Sequence, residues 1–197
     1  EMMMNVYCLD VPLPPVNERE IMRYARCGDG DEQTKKLMQE CLVEVESVLQ
    51  GKVCFAELSC RQDGEKCDFG FFSLVSRDLA KNLQGCRQVV LFAATLGVGI
   101  DRLIGRYQRL SPAKAVMLHA IGAERIEGCC DMFCKYLAAD KGKCRPRFSP
   151  GYGDVPLETQ KQFFALLQCE KHLGLYLNDS LLMSPSKSVT AFVGLEK

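Results

Sequence analysis

The sequence has no tryptophan and only two histidines, His119 and His172. Both lie in helical patterns, where a surface or capping role outweighs that of catalytic base. No GxSxG elbow surrounds Ser76, Ser111 or Ser149, and there is neither a Walker loop nor a GxGxxG fingerprint. Nothing here marks a catalytic nucleophile or a resident nucleotide loop. Charge of one sign is also missing: 25 basic side chains balance 25 acidic ones without long blocks of either, which argues against a phosphate-backbone partner. No apolar run nears the roughly 18 residues of a membrane span. The opening "EMMMNVYC" lacks the basic end, apolar centre and cleavage site of a secretory signal. The expectation is a soluble, cytoplasmic protein that binds no nucleic acid and no membrane.

Cysteine, in contrast, is abundant, with twelve residues. None forms a CxxC pair. Cys54, Cys60 and Cys67 are irregularly spaced, and Cys129, Cys130 and Cys134 fall in a helical pattern with no matching second group. They read as small hydrophobes in a reducing compartment, the alternative being a cysteine-based metal, cluster or redox site. At 197 residues the chain suits one domain, residues 1–197.

After a proline-rich lead-in, Asn17 with Glu20 forms a capping-box pattern and Asp31 can cap a second helix. Residues 1–51 are thus expected to be a helical segment preceding any sheet. "KVCFAELSC" and "CDFGFFSLV", joined by "RQDGEK", predict a hairpin. Ser76 starts a brief helix. "QVVLFAATLG" then reads as a buried strand opening at Thr95-Leu96-Gly97 into a helix whose N-terminus can bind an anion, though such bends are also ordinary connections. Ser111-Pro112 begins a helix reaching about Lys141.

Along that helix Val116, Ala120, Ala123, Glu127, Cys130 and Cys134 share a stripe. A carboxylate among small residues either pairs with a nearby base or receives a cationic ligand group. Pro156 permits a further helix to Gly174 with Asp154 near its start, and "SVTAFVG" closes as a strand. The order of elements favours an α+β fold.

The stretch "RFSPGYGDVP", residues 147–156, is too broken for helix or strand. Arg147 offers a donor fork for a carboxylate or phosphate. Gly151 permits close backbone approach, Tyr152 adds a flat ring with a polar tip, and the prolines stiffen the loop. A zwitterionic or planar ligand would suit these groups. A proline-rich surface turn packed on the next helix explains them equally well.

The same residues resemble the C-terminal activation domain of cobalamin-dependent methionine synthase. That family has an R-x-x-x-G-Y loop, a proline, a T-x-K helix start, E-K-H-x-G and S-x-x-M-x-P-x-x-S-V. Here these are Arg147, Gly151-Tyr152, Pro156, Thr159 with Lys161, Glu170-Lys171-His172 with Gly174, then Ser180, Met183, Pro185 and Ser188-Val189. Val155 and Glu158 stand where the family has cysteine and histidine.

The resemblance implies an α+β fold with a twisted antiparallel sheet and flanking helices. It also implies binding of S-adenosylmethionine, with Arg147 on the carboxylate, Glu127 at the cationic end, Ser149 and Gly151 at the adenine or ribose through their backbones, and Tyr152 facing the corrin. The implied role is reactivation: an electron from a flavodoxin-like donor and a methyl group from S-adenosylmethionine convert cob(II)alamin to methylcobalamin. A chain without its own cobalamin domain would act in trans on a methionine synthase or another corrinoid protein. Its residues would position cofactors and supply no catalytic group or metal ligand. The alternative is a non-catalytic docking module that ignores S-adenosylmethionine.

Overall fold

A computed structural model describes residues 4–196. The chain opens with strand β1 (Tyr7–Asp10), followed by helices α1 (Glu18–Ala25) and α2 (Glu32–Glu46). Both helices start where their caps predict: Asn17 Oδ1 accepts the Glu20 N–H at 3.2 Å, and Asp31 Oδ1 accepts the Thr34 N–H at 2.7 Å. The helices do not precede the sheet, however. Strand β1 comes first and pairs antiparallel with β2 (Lys52–Ser59), Tyr7 opposite Phe55 and Asp10 opposite Lys52. Four residues are too few to show a period, and their partner lies far along the chain.

The expected hairpin is also redrawn. Three short strands, β3 (Arg61–Asp63), β4 (Lys66–Asp68) and β5 (Ser73–Val75), form a small sheet of their own. Strand β2 instead takes as its second neighbour β6 (Gln88–Thr95), which lies beyond the short helix α3 (Arg77–Asn82). The reason is burial. Strand β6 carries Val89, Val90, Leu91, Phe92, Ala93 and Ala94 with none of them exposed, so it needs a covered strand on each side and a packed layer on each face. The short, polar strands β3 and β4 cannot provide either.

Helices α4 (Gly99–Leu110) and α5 (Pro112–Lys141) follow. Past the loop, a 3-10 turn (Leu157–Thr159) leads into α6 (Gln160–Leu167) and α7 (Cys169–Leu173), then strands β7 (Tyr176–Leu177) and β8 (Met183–Ser184), and β9 (Ser188–Leu195). The single helix expected from Pro156 to Gly174 is therefore split, because Gln168 adopts a left-handed φ of 48° between α6 and α7. Strand β9 completes an antiparallel sheet of order β1-β2-β6-β9.

Alternate residues of that sheet feed two cores. Cys54, Ala56, Leu91, Ala93 and Phe192 pack with Leu79, Phe163, Leu167 and Cys169 on one side. Val53, Phe92, Ala94, Ala191 and Val193 pack with Ile126, Cys130, Phe133 and Leu137 of α5 on the other. The opposite flank of α5 meets α1, α2 and α4 in a third cluster around Ile21, Met38, Ile100 and Leu118. A helix covered on most sides is apolar nearly all round, and for that reason the sequence stripe through Val116 is a poor guide to its faces. Val116 itself is 56% exposed.

One contact on α5 is invisible to periodicity. Glu124 and Arg125 are 6% and 5% exposed. Arg125 donates to Glu124 at 2.6 and 2.9 Å and to the carbonyls of Pro14 at 2.7 Å and Pro15 at 3.2 Å, while Glu124 accepts the Asn17 N–H at 3.1 Å. A buried ion pair thus ties the proline-rich lead-in and the cap of α1 to the central helix. Eight of the twelve cysteines are also buried. Burial pushes the thiols of Cys41 and Cys129 up to about 11 and that of Cys60 to about 12, so they remain protonated hydrophobes at neutral pH.

Candidate functional site

The Thr95-Leu96-Gly97 bend is consumed by the fold. The Leu96 N–H donates to the Lys187 carbonyl and the Leu96 carbonyl accepts from Gln50. In the first turn of α4, Asp101 accepts the Ser186 N–H at 2.7 Å and the Ser186 hydroxyl at 2.5 Å. A carboxylate therefore already occupies the anion-attracting end of that helix.

The loop from Arg147 is pinned at its start by β9. Phe148 N–H donates to the Phe192 carbonyl at 2.9 Å, and Phe192 N–H returns the bond at 2.8 Å. This bridge sets Arg147 and Ser149 beside α5 and the first residues of β9. The loop then turns tightly: Tyr152 N–H donates to Ser149, Val155 N–H to Tyr152, and Gly151 N–H to Val155. Gly151 has φ +90°, which an L side chain rarely adopts, and a Cβ there would press on Leu157 at 3.1 Å.

Asp154 does not serve the following helix as expected from its position. Its carboxylate accepts from the Ser76 hydroxyl, from Arg77 N–H at 2.9 Å and from Asp78 N–H at 3.3 Å, while its own N–H donates to Asp78 at 3.2 Å. It holds the loop to the start of α3. The Ser76 hydroxyl, aided by these amides, keeps the Asp154 carboxyl below its ordinary value of 3.8. A depressed carboxyl contributes stability that is present above pH 3.8 and fades as pH falls through the lower folded value. Asp154→Ala is expected to free the Arg77 and Asp78 amides to hydrogen exchange at pH 7 while β6 stays protected. Acidification of the wild type below pH 3.8 is expected to release the same amides.

Arg147 lies between two carboxylates of α5. Its Nη2 donates to Glu127 Oε2 at 2.5 Å and its Nη1 to Asp131 Oδ1 at 2.6 Å. Of the two readings open for Glu127, the structure realises the first, pairing with a base, and that base is Arg147. Burial alone disfavours a charged guanidinium, but the bonds to Asp131 and Glu127 outweigh it and raise Arg147 further above its ordinary value. Two acids around one base leave one excess negative charge, which attracts a cation, while the guanidinium has N–H groups to spare.

Glu127 and Arg147 line a cleft of about 320 Å³ with Phe148, Ser149, Pro150, Tyr152, Gln160, Met183, Ser188, Val189 and Thr190, whereas Asp131 bonds Arg147 without lining it. Glu127, Arg147, Ser149 and Tyr152 are thus brought together. Gly151 is not on the wall, and its part is to turn the backbone. Tyr152, 65% exposed, stands at the mouth. Asp131, as a partner of Arg147, and Gln160, as a wall residue, were not visible beforehand. The four-residue spacing of Glu127 and Asp131 on one helix face was the available signal for the first.

A larger groove of about 740 Å³ lies between the lead-in and α2, but its walls are mainly Val11, Leu13, Leu42, Val43 and Leu49, and its one arginine, Arg125, is held by Glu124. The smaller cleft therefore holds the chemistry. Among the described residues, no group of three His, Cys, Asp or Glu side chains converges as metal ligands. Also among them, no helix is long and apolar enough to cross a membrane.

No protein-family model matches the sequence, and no curated protein matches it significantly. Solved structures do match. The crystal structure of the MetH reactivation domain bound to AdoHcy aligns with a TM-score of 0.72 over 98% of this chain and 79% of that one, at 14% sequence identity. Similarity at that identity speaks to architecture, and here it agrees with the antiparallel sheet and flanking helices over nearly the full chain. The chain has the α+β fold of the methionine synthase reactivation domain.

Proposed function

We propose that this chain is an S-adenosylmethionine-binding reactivation module acting in trans on a cobalamin-dependent methionine synthase or another corrinoid methyltransferase. The observation that carries the reading is the convergence of Arg147, Glu127, Ser149 and Tyr152 on one cleft in a fold whose solved neighbour binds AdoHcy. S-adenosylmethionine is a zwitterion with an added sulfonium. Glu127, on the cleft wall, supplies an acceptor for its ammonium, and the unbonded N–H groups of Arg147 supply donors for its carboxylate. Exposed Tyr152 marks the side from which a corrin ring would approach.

The corrinoid, carried by the partner, would take up the methyl group together with one electron from a flavodoxin-like donor, and S-adenosylhomocysteine would leave as the neutral thioether. This chain's own work is to bind, orient and screen from water. No side chain in the cleft is required as acid, base or nucleophile. Calorimetric titration with S-adenosylmethionine and with S-adenosylhomocysteine is the test, with a single saturable site expected for each. Heat of dilution alone would overturn the reading.

One observation favours a second reading, a docking module that does not use the methyl donor. Arg147 already has two carboxylate partners, and a ligand carboxylate must share or displace them. On that reading the chain co-elutes with a cobalamin-loaded methionine synthase equally with and without S-adenosylmethionine.

A further inference from the structure

Arg147 reaches the two acids of α5 through different nitrogens, Nη2 to Glu127 and Nη1 to Asp131. The two acids are not equivalent. Glu127 lines the cleft and Asp131 does not, and Asp131 is the more exposed of the two side chains, 61% against 42%. A molecule in the cleft therefore meets Glu127 and Arg147 without meeting Asp131. A zwitterionic tail then faces a question of exchange, because the Nη2 bond is already made. If the ligand ammonium draws Glu127 off Nη2, the vacated N–H can receive the ligand carboxylate, and one ion pair becomes two with no charge stranded. Such an exchange needs a second anchor. Without one, an arginine released by Glu127 would keep no bond to α5, and ordering its long side chain again costs entropy.

Resting on the reading of this cleft as a site for a nucleoside with an amino-acid tail, we infer that Asp131 is a positioning residue: it holds Arg147 through Nη1 from outside the cleft while Glu127 passes from Arg147 to the ligand. Charge alone does not explain the part Asp131 plays. The tail carries one charge of each sign, so removing a nearby carboxylate helps one end about as much as it hurts the other. What Asp131 contributes is the direction of the guanidinium. A preference among ligands follows. An ammonium alone can take Glu127 while Arg147 keeps Asp131. A carboxylate alone would displace Glu127 and leave it without a counter-charge.

The experiment titrates wild type, Asp131→Ala and Asp131→Asn with S-adenosylhomocysteine and with 5′-methylthioadenosine, which lacks the amino-acid tail. Asp131→Ala is expected to lose about tenfold in affinity for S-adenosylhomocysteine, as for one bond to a charged group, and to bind 5′-methylthioadenosine as wild type does. Asp131→Asn should recover most of the loss, because its amide oxygen still accepts from Nη1. Both variants should melt with the wild type, since the side chain is largely open to water. Two further probes read the exchange in the wild type: S-adenosylhomocysteine without its ammonium should bind about tenfold more weakly than the same molecule without its carboxylate. Unchanged affinity of Asp131→Ala for S-adenosylhomocysteine would overturn the inference and leave the cleft reading intact. So would an equal loss for both nucleosides, an Asp131→Asn chain as weak as Asp131→Ala, or a greater cost for losing the carboxylate than the ammonium. Failure of wild type to bind S-adenosylhomocysteine would instead remove the cleft reading itself.

Discussion

Arg147→Ala is expected to reduce affinity for S-adenosylmethionine at least ~100-fold, equivalent to about 2.7 kcal/mol. The change does more than delete a donor fork. Glu127 and Asp131, which both bond this guanidinium, would stand side by side on one face of α5 without a cation between them. The carboxylate end of the ligand would then meet two like charges and no counter-charge. Arg147→Lys should recover little of the loss, because a single ammonium cannot span both acids and still offer a free edge to the ligand. Stability should change far less than binding. Glu127 and Asp131 are 42% and 61% exposed in their side chains, and ion pairs open to water contribute roughly 0–1 kcal/mol to folding. Isothermal titration beside a denaturant melt separates the two effects. An Arg147→Ala chain that binds as tightly as wild type would remove this cleft from consideration.

The largest loss of stability is expected elsewhere, at Glu124→Ala. Removing that carboxylate strands Arg125, 5% exposed, with a full charge and only the Pro14 and Pro15 carbonyls as partners. It also unbonds the Asn17 N–H at the cap of α1. Breaking a buried pair from one side costs about 3–5 kcal/mol, a large part of the roughly 5–15 kcal/mol that holds a domain together. The thermal midpoint should fall by roughly 10 °C. The double change Glu124→Leu with Arg125→Met should recover much of the loss, since neither charge then remains to be desolvated. If urea denaturation finds Glu124→Ala within about 0.5 kcal/mol of wild type, the pair is not the tie between the lead-in and α5 described above.

These contacts show what local reading can reach. Caps are short-range, so Asn17, Asp31, Ser76 and Ser111 were legible as helix starts, and each accepts the expected backbone N–H. The motif around Arg147 and Gly151-Tyr152 was legible because a tight loop constrains residue type at neighbouring positions. Strand β6 announced itself through an unbroken apolar run. The partners of β6 were not legible, since pairing with β2 and β9 is chosen by which strands can be covered on both faces. Asp154 was assigned to the wrong helix for the same reason. Its neighbour in sequence is α6, whereas its hydrogen bonds go to the start of α3.

The chain by itself determined the helix starts, the apolar strands, the loop that turns at Gly151 and the α+β class, because each depends on residues within a few positions of one another. Only the tertiary structure decided that Arg147 is shared between Glu127 and Asp131, that Gly151 stands off the wall, and that Gln160 of α6 joins the lining of the cleft. Those facts depend on where α5, α6 and β9 meet, and that meeting is set by burial of two sheet faces at once, a property of the packed whole that no window of sequence contains.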